Sequence, residues 1–273
     1  MEPLNRIFIS IGPITIYWYA IFMISGAFLG YLLVAKQAEK EDINDDTILD
    51  LLLIAFPIAI LSARTYYVLF EWSDYSTNFW DVFKIWEGGL AIHGGLIGAI
   101  ITGYFFSKKR NIPFFKLADL VAPGILVGQI VGRWGNFMNQ EAFGGIVPRT
   151  FLESLNLPNF IINQMYIDGA YHHPTFLYES LWNSLILIIL LLVRNKKHFQ
   201  GQLFFMYLMG YSIGRFFIEG LRTDSLMLTS TIRMAQFISV ILIILSTVAM
   251  IGLARKEKKA PYWSREIYYL NRI

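Results

Sequence analysis

The stretch 132–145 gathers groups that suit the binding of a phosphate, in the order Gly-Arg-Trp-Gly-Asn-Phe-Met-Asn-Gln-Glu-Ala-Phe-Gly-Gly. Arg133 offers a planar fork of N–H donors that matches a phosphodiester. Asn136 and Asn139 share one face if the chain is helical there, because residues three apart are neighbours on a helix. Gly144 lets backbone or ligand approach closely. We interpret this stretch as an anion-binding site; the simpler alternative is a capped helix end with an arginine extended to the surface.

A second polar cluster lies in a later apolar segment and contains Tyr211, Arg215, Glu219 and Arg222, followed by Asp224. Spacings of four, four and three place the first four side chains on one helical face. Charged side chains cost about 2.5–3.5 kcal/mol at the centre of a bilayer, so those that occur there usually face a bundle interior or a wet cavity. The cluster therefore predicts a second set of substrate-binding groups, or an internal Arg–Glu pair that holds helices together.

His93 is the one histidine inside a predicted apolar span, with Gly88 and Gly89 before it and Gly94 and Gly95 after it. The neighbouring glycines predict a poorly helical backbone that is open to a ligand, whereas a lone helix histidine is more often structural. Arg64, in an earlier span, is either a phosphate contact or the partner of a buried carboxylate. Glu179 lies where an acidic residue can simply favour a helix amino terminus.

Several other chemistries find no support in the sequence. There is no Gly-x-Ser-x-Gly elbow, no His-Glu-x-x-His pair and no phosphate-binding P-loop. The 273-residue chain has no cysteine, which excludes disulfides, thiolate metal sites and a cysteine nucleophile. The formal net charge of +3 gives no indication of nucleic-acid binding. Catalysis would then depend on positioning and on stabilising the charge of a phosphate leaving group.

These groups must be positioned by membrane helices. The chain is 55% hydrophobic and 16% charged, against roughly 45–50% and about 25% in soluble domains. About seven segments are long and apolar enough to cross a bilayer, which takes about 20 residues. They are 14–35, 48–70, 89–106, 117–137, 175–193, 203–221 and 232–253. We therefore expect an all-α integral membrane protein with about seven transmembrane helices, forming a single transmembrane domain over 1–273.

Orientation follows from the distribution of lysine and arginine, because cytoplasmic loops are enriched in both. Fifteen of the 23 basic residues fall in segments that this count places on one side, which predicts an external amino terminus and a cytoplasmic carboxyl terminus. Segment 138–174 then forms a small extracytoplasmic cap. The fifteen are Lys36, Lys40, Lys108, Lys109, Arg110, Lys116, Arg194, Lys196, Lys197, Arg255, Lys256, Lys258, Lys259, Arg265 and Arg272.

The run from Gly132 to Gly144 resembles the motif Gly-Arg-x-Gly-Asn-Phe-x-Asn-x-Glu-x-aromatic-Gly of the prolipoprotein diacylglyceryl transferase family at every fixed position. The His-Gly-Gly at 93–95 and the segment from Gly214 to Arg222 are also similar to that family, as are Trp18-Tyr19, Arg64 and 174–179. Ala20 stands where glycine is expected. The resemblance covers nearly the whole chain.

This resemblance implies an enzyme of the bacterial plasma membrane whose active site faces the outer leaflet. The family moves the diacylglyceryl group of phosphatidylglycerol onto the lipobox cysteine thiol of a prolipoprotein signal peptide, forming a thioether and releasing glycerol phosphate. Its partners are membrane lipids and that peptide, with no metal or cofactor. A non-enzymatic carrier or flippase for an anionic lipid is the alternative, but it should show paired, repeat-related broken helices, and the sequence shows none.

The resemblance also assigns roles to individual side chains. Arg133 and Arg215 hold the phosphate and stabilise its charge as it leaves, and His93 acts as general base for the thiol. An imidazole suits that role near neutral pH, although arginine charge alone could favour the thiolate. The substrate-binding set comprises Tyr19, Arg64, Asn136, Asn139, Glu141, Gly144, Tyr211, Glu219 and Arg222.

Overall fold

A computed structural model of the protein describes residues 4–12, 14–76, 78–229 and 231–259. Seven helices of 18 residues or more occupy the seven predicted regions of this described part. They are α1 (Trp18–Glu39), α2 (Asp45–Phe70), α4 (Ile92–Lys109), α5 (Phe114–Asn139), α8 (Thr175–Val193), α9 (Gln202–Glu219) and α10 (Met234–Lys259). Three short helices are α3 (Trp72–Tyr75), α6 (Arg149–Ser154) and α7 (Asn159–Gln164).

The expectation of a mostly helical membrane protein is confirmed. Within the described residues, five helices are long and apolar enough to cross a bilayer, namely α1, α2, α5, α8 and α10. Helices α4 and α9 have 18 residues each and do not join that group. The number of seven crossings and the orientation of the termini therefore stay predictions. Arg265 and Arg272, which contribute to the predicted orientation, lie outside the described residues.

The first helix begins four residues later than predicted. Residues 14–17 instead form strand β2 (Ile14–Tyr17), which pairs antiparallel with β1 (Ile7–Ile11). The segment Ile-Thr-Ile-Tyr is rich in β-branched residues, which favour strands over helices. The expectation of an all-α protein is thus incomplete, because the described residues also include β3 (Ile146–Val147), β4 (Tyr166–Ile167) and β5 (Ala170–His172).

The chain divides into two compact units, of which the first comprises residues 1–33 and 119–273. In this unit α1 packs against α5 through glycines, which let two helix backbones approach closely. A Cβ added at Gly30 would lie 2.6 Å from the carbonyl oxygen of Gly124. One added at Gly26 would lie 3.2 Å from the Cα of Gly128. Helices α8 and α9 also lie close together, and the Trp182 indole donates to the Gly210 carbonyl oxygen at 2.8 Å.

Segment 138–174, predicted as a cap, has an apolar core in common with the end of α5. Strand β5 lies between β3 and β4 in a small antiparallel sheet. Gln164 is 1% exposed, and its side-chain amide donates to the carbonyl oxygens of Phe137 and Met138 at 3.1 and 3.3 Å. The core consists of Phe137, Met138, Val147, Leu152, Ile161, Ile162, Met165, Ile167 and Phe176.

The second unit comprises residues 34–118 and is built on the pair α2 and α4. Gly94 and Gly98 are four apart and buried on α4. A Cβ at either position would collide with Ser62 of α2, so the small-xxx-small spacing permits close packing. Between α2 and α4 the chain forms α3 and two short 3-10 turns, Phe79–Phe83 and Ile85–Glu87.

Candidate active site

A buried carboxylate is the centre of the charged cluster in the first unit. Glu179 lies on α8, and its side chain is 4% exposed. Its Oε2 lies 2.7 Å from Nη2 of Arg133 on α5, and its Oε1 accepts an N–H from Nη1 of Arg215 on α9 at 3.1 Å. Three helices therefore meet at one carboxylate, and the two arginines of the predicted site are brought together by it.

The predicted face of α9 continues this network. Glu219 Oε2 lies 2.6 Å from Arg215 Nη2. Arg222 follows the end of α9, and its Nη1 lies 3.7 Å from Glu179 Oε1. Its Nε and Nη2 donate to the two carboxylate oxygens of Asp224 at 2.9 and 2.7 Å, which is a bidentate pair.

The Arg222–Asp224 pair lies beyond the end of α9. At Arg222, burial disfavours the charged form, but the hydrogen bonds to Asp224 act in the opposite direction and the net pKa is raised. At Asp224, partial burial raises the pKa, the Arg222 hydrogen bonds lower it, and the net change is downward. Both groups therefore remain charged at neutral pH.

The three arginines of the cluster are balanced by Glu179, Glu219 and Asp224. Burial of the charges is thereby compensated, because an unpaired ion at this depth would be costly. The side chains of Arg133 and Arg215 are 19% and 18% exposed, whereas those of Glu179 and Glu219 are 4% and 3% exposed. The carboxylates thus lie inside and orient guanidinium groups that retain some access to a ligand. Guanidinium groups held in this way can bind a phosphate through N–H donors that no protein group uses.

A chain of hydrogen bonds orients Arg133 from its own helix. Arg133 Nη1 donates to the Asn136 side-chain oxygen at 3.2 Å, and the Asn136 amide donates to Glu141 Oε1 at 2.6 Å. The backbone N–H of Glu141 also donates to the Asn136 carbonyl at 3.1 Å. Asn136 and Glu141 therefore act on the same guanidinium. Asn139 makes no side-chain hydrogen bond within the described part of the chain and does not join this network.

Gly144 is enclosed by backbone from two other segments. Its N–H donates to the His173 carbonyl at 3.1 Å, and the N–H of Gly145 donates to the Leu221 carbonyl at 2.9 Å. The His172 ring hydrogen-bonds the Gly144 carbonyl oxygen through Nδ1 at 2.8 Å. A Cβ at Gly144 would lie 2.6 Å from the His173 Cβ, so the close approach requires glycine. Gly144 thus connects the cap to the segment that carries Arg222.

The two predicted tyrosines lie near these groups on their own helices. The Tyr19 ring packs against Gly135, where an added Cβ would lie 2.9 Å from Tyr19 Cδ2. Tyr211 lies one turn before Arg215, and its ring centroid is 6.1 Å from that of Tyr207. The Tyr207 hydroxyl in turn accepts from the Gln129 amide at 3.1 Å.

Arg64 and His93 belong to the second unit. Arg64 is 5% exposed and donates to the carbonyl oxygens of Asp81, Val82, Gly88 and Gly89 at 2.6, 2.8, 2.7 and 3.0 Å. Among the described residues, its hydrogen-bond partners are therefore backbone carbonyls of one connecting segment and not a buried carboxylate. A substrate contact for Arg64 stays a prediction.

His93 lies in the first turn of α4 and is exposed. The prediction that the flanking glycines make this backbone poorly helical is wrong for Gly94 and Gly95, because both continue the helix and Gly94 packs against α2. The irregular backbone lies before α4, where Gly88 and Gly89 have φ values of 93° and 73°. The ring centroid of His93 lies 6.3 Å from that of Tyr66.

Glu179 was left out of the predicted site, because it was interpreted as an acidic residue that favours a helix amino terminus, although 174–179 resembles the family. The available signal was the one applied to the arginines, namely a charged residue inside an apolar helix. His173 was not among the predicted site residues either. Its Nδ1 lies 3.2 Å from the Tyr178 hydroxyl, and burial lowers its pKa. It flanks Gly144 in the same unit as the charged cluster.

Comparison with known proteins shows similarity along nearly the whole chain. Residues 6–252 match the family described as prolipoprotein diacylglyceryl transferase. A phosphatidylglycerol–prolipoprotein diacylglyceryl transferase of Bacillus velezensis is 59% identical over 91% of this chain and 92% of its own length. Proteins of the same name from Geobacillus kaustophilus and Bacillus licheniformis are 53% and 56% identical. The alignments cover 98% and 89% of this chain, and 97% and 90% of the two relatives.

Proposed function

The chain belongs to the prolipoprotein diacylglyceryl transferase family, and from this premise we propose that it transfers the diacylglyceryl group of phosphatidylglycerol to the lipobox cysteine of prolipoproteins. The thiol loses its proton, the sulfur attacks the carbon of the diacylglyceryl unit that bears the phosphate, and the bond between that carbon and the phosphate oxygen breaks. The products are a thioether and glycerol phosphate. The observation that carries the proposal is the pair of guanidinium groups held side by side on the buried Glu179 carboxylate.

In this proposal Arg133 and Arg215 bind the phosphate of phosphatidylglycerol. Preorganised donors stabilise developing charge without having to reorient during the reaction. Because Glu179 and Glu219 already balance the arginines, the empty site needs no bound anion for stability, and product release does not leave unpaired charge behind. Asn136, Glu141 and Gly144 shape the headgroup site, and Arg222 and Glu219 extend it.

The remaining predicted residues act on the two substrates. Tyr19 and Tyr211 orient the lipid, and Asn139 and Arg64 bind the substrate. His93 accepts the thiol proton. The enzyme lies in the plasma membrane with seven crossings, and its site opens toward the outer leaflet, where 138–174 covers it. The amino terminus is external and the carboxyl terminus cytoplasmic.

The test is a reconstituted reaction. Purified protein in phosphatidylglycerol vesicles is incubated with a lipobox peptide, and both glycerol phosphate and the lipidated peptide are measured. We expect the two products in equal amounts, and neither with a peptide whose cysteine is replaced by serine. Movement of phosphatidylglycerol between leaflets without release of glycerol phosphate would instead support the carrier, which the names of the relatives do not favour.

A further inference from the structure

The segment between α2 and α4 exposes large aromatic side chains outside any spanning helix. Trp80 and Trp86 are 74% and 76% exposed, and Phe83 is 57% exposed. They lie on the two short 3-10 turns of residues 79–87. An exposed apolar patch of this kind marks an interaction surface, because contact of aromatic rings with water is unfavourable.

The exposure of these rings comes from an ordered backbone. The buried Arg64 guanidinium donates to the carbonyl oxygens of Asp81 and Val82 within the first turn, and to those of Gly88 and Gly89 just after the second. It also lies 5.0 Å from the centroid of the Tyr75 ring. One side chain from α2 therefore holds the turns in shape and keeps the aromatic rings directed outward.

The apolar surface continues into the helices on either side. Phe70 at the end of α2 is 72% exposed, and Ile92 at the start of α4 is 73% exposed. Helix α2 is among the described helices that are long and apolar enough to cross a bilayer, so we expect its end to lie near a membrane boundary. The aromatic segment therefore starts at the level where the bilayer ends.

The composition of the segment indicates the depth in the membrane at which it can lie. Non-helical backbone cannot face the hydrocarbon core, where its polar groups would find no partners. Tryptophan, in contrast, favours the boundary between headgroups and acyl chains. Residues 71–87 contain four acidic residues and one basic residue, Lys84. Attraction to anionic headgroups therefore cannot drive binding of this segment to the membrane. Burial of the aromatic rings remains as the driving force.

We propose that residues 79–87 form an interfacial anchor, in which Trp80, Phe83 and Trp86 insert between phospholipid headgroups beside α2. The occupant of this surface is the phospholipid layer itself. The inference does not depend on the reaction assigned to the protein, since it uses only the second unit.

The test uses the absence of cysteine in the chain. Single cysteines at Trp80, Phe83 and Trp86 are spin-labelled, and the protein is reconstituted in phosphatidylcholine vesicles, which carry no net charge. Collision with oxygen, which concentrates in lipid, is compared with collision with a water-soluble nickel chelate. Ser73→Cys is the polar control on exposed α3, and Leu53→Cys, on the exposed face of α2, is the lipid-facing control.

We expect all three anchor labels to favour oxygen several-fold more than the Ser73 label does, approaching the Leu53 label. Anchor labels that match Ser73 would overturn the proposal by showing that the rings face water. Labels shielded from both reagents would also overturn it, because protein would then cover the surface. Release of glycerol phosphate by the same variants is measured separately, so failure of the anchor is distinguishable from failure of the proposed reaction.

Discussion

Glu179 on α8 and Arg215 on α9 form a hydrogen-bonded ion pair of 3.1 Å, although 36 residues separate them in the chain. The same carboxylate holds Arg133 at 2.7 Å. Glu179 therefore sets the relative position of two guanidinium groups that approach it from different helices. Since a misplacement of about 1 Å can reduce a rate by about 100-fold, this carboxylate is a positioning residue for the proposed phosphate site.

The first prediction is that Glu179→Gln lowers the rate of glycerol phosphate release by about 100-fold. The amide keeps the size of the side chain but cannot attract both arginines. Removing one partner of a buried ion pair also costs about 3–5 kcal/mol, so thermal unfolding is measured in parallel. Glu153→Gln is the matched control, because Glu153 pairs with Arg149 at the surface. An unchanged rate in Glu179→Gln would show that the arginines do not need this carboxylate.

Arg133→Lys should lose most activity while the protein still inserts into the membrane. Lysine keeps the charge but not the planar fork that contacts Asn136 and Glu179 together. We expect a loss of about 100-fold, comparable to removal of one donor from an oxyanion site. Turnover is compared with that of Arg149→Lys, a surface change in the same cap region. Near-normal turnover at normal expression would argue against bidentate binding of phosphate.

Gly144 and the adjacent Gly145 provide a test, with its own control, of the connection between the cap and the segment that carries Arg222. Gly144→Ala places a methyl group 2.6 Å from the His173 Cβ and 3.1 Å from the Leu221 carbonyl oxygen. The backbone must shift, at a cost of about 1–3 kcal/mol for overpacking, and Arg222 moves with it. At Gly145 nothing lies within 4 Å of an added Cβ. Activity should therefore fall at least roughly tenfold in Gly144→Ala and stay near normal in Gly145→Ala. Equal activities of the two variants would show that Gly144 does not contribute to the proposed site.

The proposed role of His93 predicts a particular pH dependence. A free thiol with a pKa of about 8.5 is only about 1% ionised near pH 6.5, so a base contributes most there. At about pH 9 most of the thiol is already thiolate. Single-turnover rates of His93→Gln and wild type are compared on a lipobox peptide across this range. The deficit of the variant should shrink as pH rises. A constant deficit would mean that His93 positions a substrate. Equal rates in the variant and wild type would mean that His93 has only a packing role.

His173→Gln provides the comparison for that experiment, because the His173 backbone hydrogen-bonds Gly144 in the same unit as the arginine cluster. If the deficit that shrinks with pH belongs to His173→Gln instead, the proton acceptor is His173 and the assignment of His93 fails.

Orientation is tested by single cysteines in a chain that has none. Cysteine at Asn5 should react with an impermeant reagent added outside intact cells, and cysteine at Lys109, in the last turn of α4, should not. The physical reason is the excess of lysine and arginine on the predicted cytoplasmic side. Labelling at Lys109 from outside would overturn the predicted topology, and permeabilised cells provide the control for reactivity.

The sequence predicted helices well where a continuous apolar run was bounded by clear signals. Helix α8 has the expected bounds of 175–193, because Pro174 precedes it and basic residues follow. The start of α1 was mispredicted because strand pairing with residues 7–11 overrides an apolar run that is equally compatible with a helix. Hydrophobicity alone does not separate these two outcomes.

The candidate site was predicted residue by residue, but its connections were not. Spacing along one helix correctly indicated that Arg215 and Glu219 are neighbours, because an i,i+4 pair is local. It could not indicate that Glu179 joins Arg133 to Arg215, since that requires the packing of three helices. The partners of Arg64 were missed for a related reason. Every residue has a backbone carbonyl, so the sequence does not show which carbonyls bind a side chain. A buried arginine that binds carbonyl oxygens therefore cannot be distinguished in the sequence from one that binds an anion.

The close approach of α1 and α5 has a mechanical consequence. At Gly30 and Gly124 the two backbones touch with no side chain between them, and they lie nearly as close at Gly26 and Gly128. With two such contacts along its length, α1 cannot roll about its axis or slide on α5 unless the helices separate. Tyr19 on one helix and Arg133 on the other therefore move together as parts of one stiff body. We therefore expect a lipid to enter between helices other than α1 and α5.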